Sequence, residues 1–215
     1  SKNENLFRLN RVDNVVANSI VKEELLTYIQ SRLPSLDLIV LCDFGYGTLS
    51  REISDRIISK AKEQKVLISA DSQTSSQQGD ITKFKDVDLI TPTELEARSA
   101  FNRYNDSLTV VVDELYEKLG IKNIVVTLGE QGIFCQEKTG KDNLNSIRSD
   151  QLNAISPLCV DSSGAGDAFL AASSLMMASG GNIWDMCALG SLASAIQVRR
   201  LGNVPISKSD LLELI

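Results

Sequence analysis

Histidine is absent from the 215 residues. Within this chain that removes the Ser-His and Cys-His nucleophile systems and the usual zinc sites. Any acid–base chemistry here falls to Asp, Glu, Lys, Tyr or Cys. Four cysteines, Cys42, Cys135, Cys159 and Cys187, lie far apart and show no metal-ligand spacing. The expectation is reduced, mostly buried thiols in a cytoplasmic protein. No apolar run reaches membrane-spanning length. The first ten residues, SKNENLFRLN, are polar and hold no apolar stretch of the kind a signal peptide needs. Long basic runs are also missing, and the formal net charge is -6. That balance argues against a general binder of nucleic acid or of anionic membranes.

What is present is enough apolar sequence for a real core. Hydrophobic residues make up 43% of the chain, and the length suits one large domain, or a domain plus a small appendage. Residues 19–33 read as an amphipathic helix capped by Ser19 and ended by Pro34, with Ile20, Leu25, Leu26, Ile29 and Leu33 near a 3.6-residue period. LIVLC at 38–42, VLISA at 66–70, the short run 87–90 and NIVVTL at 123–128 read as buried strands. Helices are expected at 50–64, near 93–101 and at 108–119. A second short strand is expected at 133–136, and the polar stretch 137–153 reads as loop. Two segments rich in small residues, 164–177 and 183–198, read as closely packed helices. Strands of buried type alternating with helices predict an α/β fold with a mainly parallel sheet. In such sheets ligands sit beyond the carboxyl ends of the strands.

The segment DSSGAGDAF, 161–169, carries the most chemistry. A helix starting near Gly164 would aim its unpartnered N–H groups, and the positive end of its dipole, at whatever lies in front. Gly164, Ala165 and Gly166 would let a phosphate approach the backbone. Asp167 would lie beside that anion, poorly placed to bind it but well placed to take a proton from an attacking hydroxyl. Donors for the transferring oxygens and a base for the nucleophile are what phosphoryl transfer requires. The plainer reading is a Gly-containing helix start with an ordinary first-turn acid.

This segment resembles the D-x-x-GAGD-x-F stretch of ribokinase-type (PfkB-family) carbohydrate kinases, through Asp161, Gly164, Ala165, Gly166, Asp167 and Phe169. VVTLGEQGIF, 125–134, resembles the family's strand–turn–strand on the nucleotide side, with Thr127, Gly129 and Gly132 in place. VRRLGNVPIS, 198–207, resembles the loop that closes the adenine pocket and contains Asn203. The chain is similar to the carboxyl-terminal two-thirds of such a kinase, with residues 1–35 as a flank and 36–215 as the nucleotide-binding core. CDFGYGTLS and the DSQ…LITPTELEA layout look most similar to heptose-phosphate kinases and their bifunctional nucleotidyltransferase relatives.

The resemblance implies a ribokinase-like fold, ATP and Mg²⁺ as cofactors, room for a monovalent cation, and a sugar or sugar phosphate as substrate. It also implies a homodimer and a nucleotidyltransferase domain fused in a longer protein as open options. Asp167 would be the base, Gly164, Ala165 and Gly166 the anion hole, and Glu96 a holder of water around Mg²⁺. Asp161 would either help bind the monovalent cation or satisfy backbone N–H groups in its own loop. Asp43 would either touch sugar hydroxyls or serve as a helix cap or in a turn.

Three features depart from the family's pattern. Thr93 stands where Asn is common, and Tyr46 stands where heptose kinases carry lysine. The family's first strands, sugar-binding Gly-Gly segment and lid are expected upstream of residue 1, with FRLNRVD at 7–13 resembling their tail. Asp71, Ser72 and Gln73 either face phosphate or metal-bound water or form a turn. Glu130, Arg199, Arg200 and Trp184 have plain structural readings.

Two further readings stay open beside the kinase. One is a nucleotide-binding portion that does not catalyse by itself. The other is a dinucleotide-binding α/β protein, which suffers from lacking G-x-G-x-x-G after its first strand.

Overall fold

The computed structural model describes residues 18–73, 79–139, 146–156 and 158–213. Helix α1 (Ser19–Arg32) leads into strand β1 (Leu38–Asp43), helix α2 (Arg51–Glu63) and strand β2 (Leu67–Ser72). The short strand β3 (Leu89–Ile90) is followed by helices α3 (Glu94–Ser99) and α4 (Leu108–Leu119) and then by β4 (Asn123–Thr127). A hairpin joins β4 to β5 (Ile133–Thr139), and β6 (Ser146–Leu152) follows. Helices α5 (Ala165–Ala178), α6 (Ile183–Gln197) and α7 (Lys208–Leu212) complete the order.

The strands form one sheet in the order β1-β2-β3-β4-β5-β6. β1 to β4 run parallel, and β5 and β6 add antiparallel. Side chains alternate between two buried layers, as period-2 strands covered on both faces require. Ile90, Ile124 and Val126 point into one core with Leu26 of α1, Ile53 and Ile57 of α2, and Val112 and Leu115 of α4. Leu89 and Val125 point into the other, with Phe169 of α5 and Met186 and Cys187 of α6. The small residues of α5 and α6 serve close helix contact: a Cβ at Gly190 would fall 2.3 Å from Ser173 Oγ and 2.8 Å from the Phe169 ring. No helix among the described residues is long and apolar enough to cross a membrane.

The α/β expectation holds, with local corrections. Asn18, not Ser19, caps α1, its side chain accepting from Val21 N at 2.9 Å. Ile20 of the expected apolar face is exposed, while Leu26 and Leu33 are buried. β2 runs on to Ser72, so Asp71 and Ser72 belong to a strand and not to a turn. The stretch expected as loop at 137–153 contains the end of β5 and the whole of β6. Of the four free cysteines, Cys135 and Cys187 are buried but Cys42 and Cys159 are exposed. Residues 7–13 lie outside the described residues.

Candidate active site

Strands β1 and β2 pack against α5, and the segment just past β2 reaches its first turn. Gly164 caps that helix with φ +78°, a backbone conformation that suits glycine. Its missing side chain is needed for packing as well, because a Cβ there would fall 2.3 Å from Asn203 Oδ1. Asn203, expected at the nucleotide, therefore sits directly against the start of α5. The Ala165 N–H turns back to Ser162 O at 3.2 Å, inside its own turn. A Cβ at Gly166 would meet nothing within 4 Å, so the helix mouth is open there.

Asp167 follows on the first turn of α5 and is half-buried. Gln73, just past the end of β2, donates from Nε2 to Asp167 Oδ1 at 3.0 Å. Burial raises the Asp167 carboxyl above its ordinary value, and the Gln73 bond opposes that rise.

Asp71 is 8% exposed at the end of β2. Its Oδ1 is buried and has no hydrogen-bond partner within the protein. Burial pushes its carboxyl up to about 7, and the Glu96 carboxylate adds to the push. The Ser72 N–H opposes this, while Asp167 and Asp43 contribute smaller repulsions. Asp71 thus feels three other acidic groups, Glu96, Asp167 and Asp43.

Glu96 is buried in the first turn of α3 and forms a capping box with Thr93. Its Oε2 accepts from Thr93 N at 2.7 Å, and Glu96 N donates to Thr93 Oγ1 at 3.3 Å. The threonine that replaces the family's asparagine therefore holds Glu96 in place.

Asp43 is bonded within the protein. Its Oδ1 accepts from Gly45 N at 3.1 Å, and its Oδ2 accepts from Ser72 Oγ at 3.2 Å. The Lys83 ammonium pairs with the same Oδ2 and donates to Leu49 O at 2.9 Å. This buried Asp43–Lys83 pair fixes the loop between β1 and α2. Sequence reasoning missed Lys83, because one lysine in the polar run ITKFKD carries no local signal of burial.

Thr127 and Gly129 lie at the end of β4. Thr127 N donates to Pro92 O at 2.9 Å, tying the β3 and β4 ends together. Gly129, with φ +61°, faces open space. Gly132 has a packing role instead: a Cβ there would fall 1.9 Å from Leu152 O on β6. Glu130 is exposed in the turn between them.

Asp161 ties two loops. Its Oδ1 accepts from Ser163 N at 2.9 Å, and its Oδ2 accepts from Gly202 N at 3.0 Å. Arg200 pairs with Asp210 of α7, in keeping with its structural reading.

The profile of pfkB family carbohydrate kinases matches residues 5–209, which includes most of the flanking segment as well as the core. The bifunctional protein HldE of Campylobacter jejuni subsp. doylei is 26% identical over 208 residues, covering 95% of this chain and 42% of HldE. HldE of Helicobacter pylori is 26% identical over 214 residues, covering 98% and 44%. The chain thus spans under half the length of these curated relatives.

Among solved structures, phosphofructokinase-2 from Escherichia coli in complex with potassium superposes with a TM-score of 0.71 at 18% identity, over 89% of this chain and 61% of that one. Arabidopsis thaliana ribokinase complexed with ribose and ATP gives 0.69 at 20%, over 86% and 57%. These likenesses establish the fold, and the family match spans nearly the whole sequence. The chain belongs to the pfkB family of carbohydrate kinases.

Proposed function

We propose that this chain carries the phosphoryl-transfer site of an ATP-dependent kinase acting on an alcohol group of a sugar or sugar phosphate. The observation that carries the reading is the placement of Asp167. It stands on the first turn of α5, behind the open glycine mouth, held by Gln73 and close enough to Asp71 of β2 to repel it.

In the reaction, the acceptor hydroxyl oxygen bonds to the γ-phosphorus and the bond to the β–γ bridging oxygen breaks. ADP leaves, and the hydroxyl proton passes to Asp167. The N–H groups at Gly164 and Gly166 face the transferring oxygens. The Ala165 N–H is held in its turn and supports that geometry. Gly129 leaves room for the nucleotide beside β4, and Asn203 fixes the mouth of α5 against the closing loop.

No group of three or more carboxylates or thiols among the described residues is placed to hold a metal ion by itself, so the place for Mg²⁺ is the pair Asp71 and Glu96. A buried carboxylate oxygen without a partner, at Asp71, close enough to Glu96 to repel it, is an arrangement that a hydrated divalent cation relieves. Asp71 and Glu96 would hold it, largely through water. When bound, Mg²⁺ neutralises charge on the phosphates. Asp71, left open at the sequence level between metal-bound water and a turn, thereby joins Glu96 in the metal role.

A heptose phosphate is the substrate class that CDFGYGTLS and the following layout favour. Lys83 does not substitute for the lysine that Tyr46 replaces, since its ammonium is committed to Asp43. An ATP-dependent site of this kind suits a cytoplasmic protein. A homodimer and a fused nucleotidyltransferase domain fit the same reading.

A second reading has its own support. The chain covers 42% of one HldE relative and 61% of the phosphofructokinase-2 chain, which favours a nucleotide-binding portion whose acceptor site is completed elsewhere.

Calorimetric titration with ATP and Mg²⁺, with NADH as control, separates these readings from a dinucleotide-binding protein. Saturable ATP binding with no NADH binding is expected. In a form that turns over, Asp167→Asn should keep ATP affinity and lose about 10²- to 10⁴-fold in kcat. Turnover within a few-fold of wild type would remove Asp167 as the base.

A further inference from the structure

The monovalent cation implied beside Asp161 does not fit the groups found there. Both Asp161 oxygens accept backbone N–H groups, from Ser163 and Gly202. The carbonyls that could complete a coordination shell in the same turns also have N–H partners. Val198 O accepts from Val160 N at 2.7 Å and from Asp161 N at 3.2 Å. Ser163 O and Gly202 O share one donor, the side-chain amide of Gln197, at 3.0 and 2.9 Å. Gln197 stands at the end of α6 and is 1% exposed. Its two amide protons are thus spent on two carbonyls from two loops, one leading into the GAGD turn and one in the 198–207 loop.

We infer that the Gln197 amide does the work of a monovalent cation in this chain, cross-linking the anion-binding turn to the closing loop, so that the site is set without potassium. The chemistry is direct. Two carbonyl dipoles converging on one point need positive charge between them. A potassium ion supplies it with a full charge, and a primary amide supplies it with two N–H groups. The placement bears on the anion hole. Ser163 C=O and the Gly164 N–H belong to one planar trans peptide and point in opposite directions. A donor that holds Ser163 O inward therefore turns the Gly164 N–H outward, toward the open mouth of α5. Gln197 is a positioning residue, acting through the Ser163–Gly164 peptide. The inference rests on the kinase reading only for what the turn binds.

The test compares wild type, Gln197→Ala and Gln197→Glu in potassium, sodium and tetramethylammonium chloride at equal ionic strength. Both the melting midpoint and ATP–Mg²⁺ affinity are read for the 215-residue chain. For wild type, midpoint and affinity should be the same in all three salts, within about twofold in affinity. Gln197→Ala should lose about tenfold or more in ATP affinity in tetramethylammonium and recover part of it in potassium. Gln197→Glu should acquire a stabilisation by potassium over tetramethylammonium that wild type lacks, since a carboxylate between two carbonyls attracts a cation. If Gln197→Ala fails to fold, wild type and Gln197→Glu still decide the matter. A wild type stabilised by potassium over tetramethylammonium, or variants with no new cation response, would overturn the proposal. If wild type binds no ATP in any salt, the kinase reading fails, and the melting comparison alone still judges the role of Gln197.

Discussion

An aspartate with a buried, unpartnered oxygen and three other carboxylates nearby resists ionisation. That is the position of Asp71, whose carboxyl is pushed up to about 7, first by burial and then by Glu96. The consequence for stability has a definite sign. Between the ordinary aspartate value near 4 and about 7, the folded chain holds a proton that the unfolded chain has released. Stability from this group is therefore complete below about pH 4 and is lost as pH rises through about 7, by on the order of 4 kcal/mol at most. Asp71→Asn stays neutral and escapes that loss. Denaturant unfolding of the metal-free protein should show wild type weakening more than Asp71→Asn from about pH 5 to about pH 8. Added Mg²⁺ should restore wild type at the higher pH and help the variant less. Equal pH slopes for the two proteins would mean that Asp71 does not carry the strain. None of this was legible in DSQ, because burial at the end of β2 comes from the elements packed around it. Asp167 differs, since its glycine-rich context marked it in the sequence alone.

At the scale of elements, glycines separate packing from binding. Gly190 lies where α6 presses on α5, against Ser173 and Phe169. Gly190→Ala should lower stability by about 1–3 kcal/mol, as overpacking does in a close helix contact. Gly166 faces open space at the helix mouth. Gly166→Ala should keep or slightly raise the melting midpoint, since alanine favours a helix by about 0.5–1 kcal/mol. If a phosphate approaches that backbone, the same methyl should cut ATP affinity about tenfold or more. Melting curves and ATP titrations of the two variants check the contrast, and a Gly166→Ala variant with unchanged affinity would place the phosphate elsewhere. The run of small residues from Gly164 onward showed these two helices in advance. β6 gave no such sign. Arg148, Ser149, Asp150 and Gln151 are all exposed, and among the described side chains of β6 only Leu152 reaches the second core. A polar edge strand of an antiparallel pair shows no apolar alternation to read.

For the molecule as a whole, the alternation of buried strands and helices made the sheet legible, while its flanks were not. Within the described sheet β1 is the end strand. Leu38, Ile39 and Val40 are only half-buried, and Phe44 and Tyr46 just beyond them are each 43% exposed. A parallel sheet is normally covered on both faces, and an apolar edge left open is a place for further chain to pair. The proposed site lies beyond the ends of these strands, and among the described residues its β1 side has no further strand beside it. On the proposed reading, ATP would use mainly β4, the α5 mouth and the 198–207 loop. On the same reading, an acceptor sugar would need a closed pocket, because closure excludes water and aligns the attacking hydroxyl. The isolated chain should therefore bind ATP with Mg²⁺ while forming ADP at a rate that added sugars or sugar phosphates barely change. A coupled assay for ADP, run with and without a panel of hexoses, heptoses and their phosphates, measures this. Sugar-dependent turnover near the ~1–100 s⁻¹ usual for kinases would show that the open β1 side is not the acceptor wall. The wall would then have to come from residues already in place, with Tyr46 and Phe44 the first to be replaced.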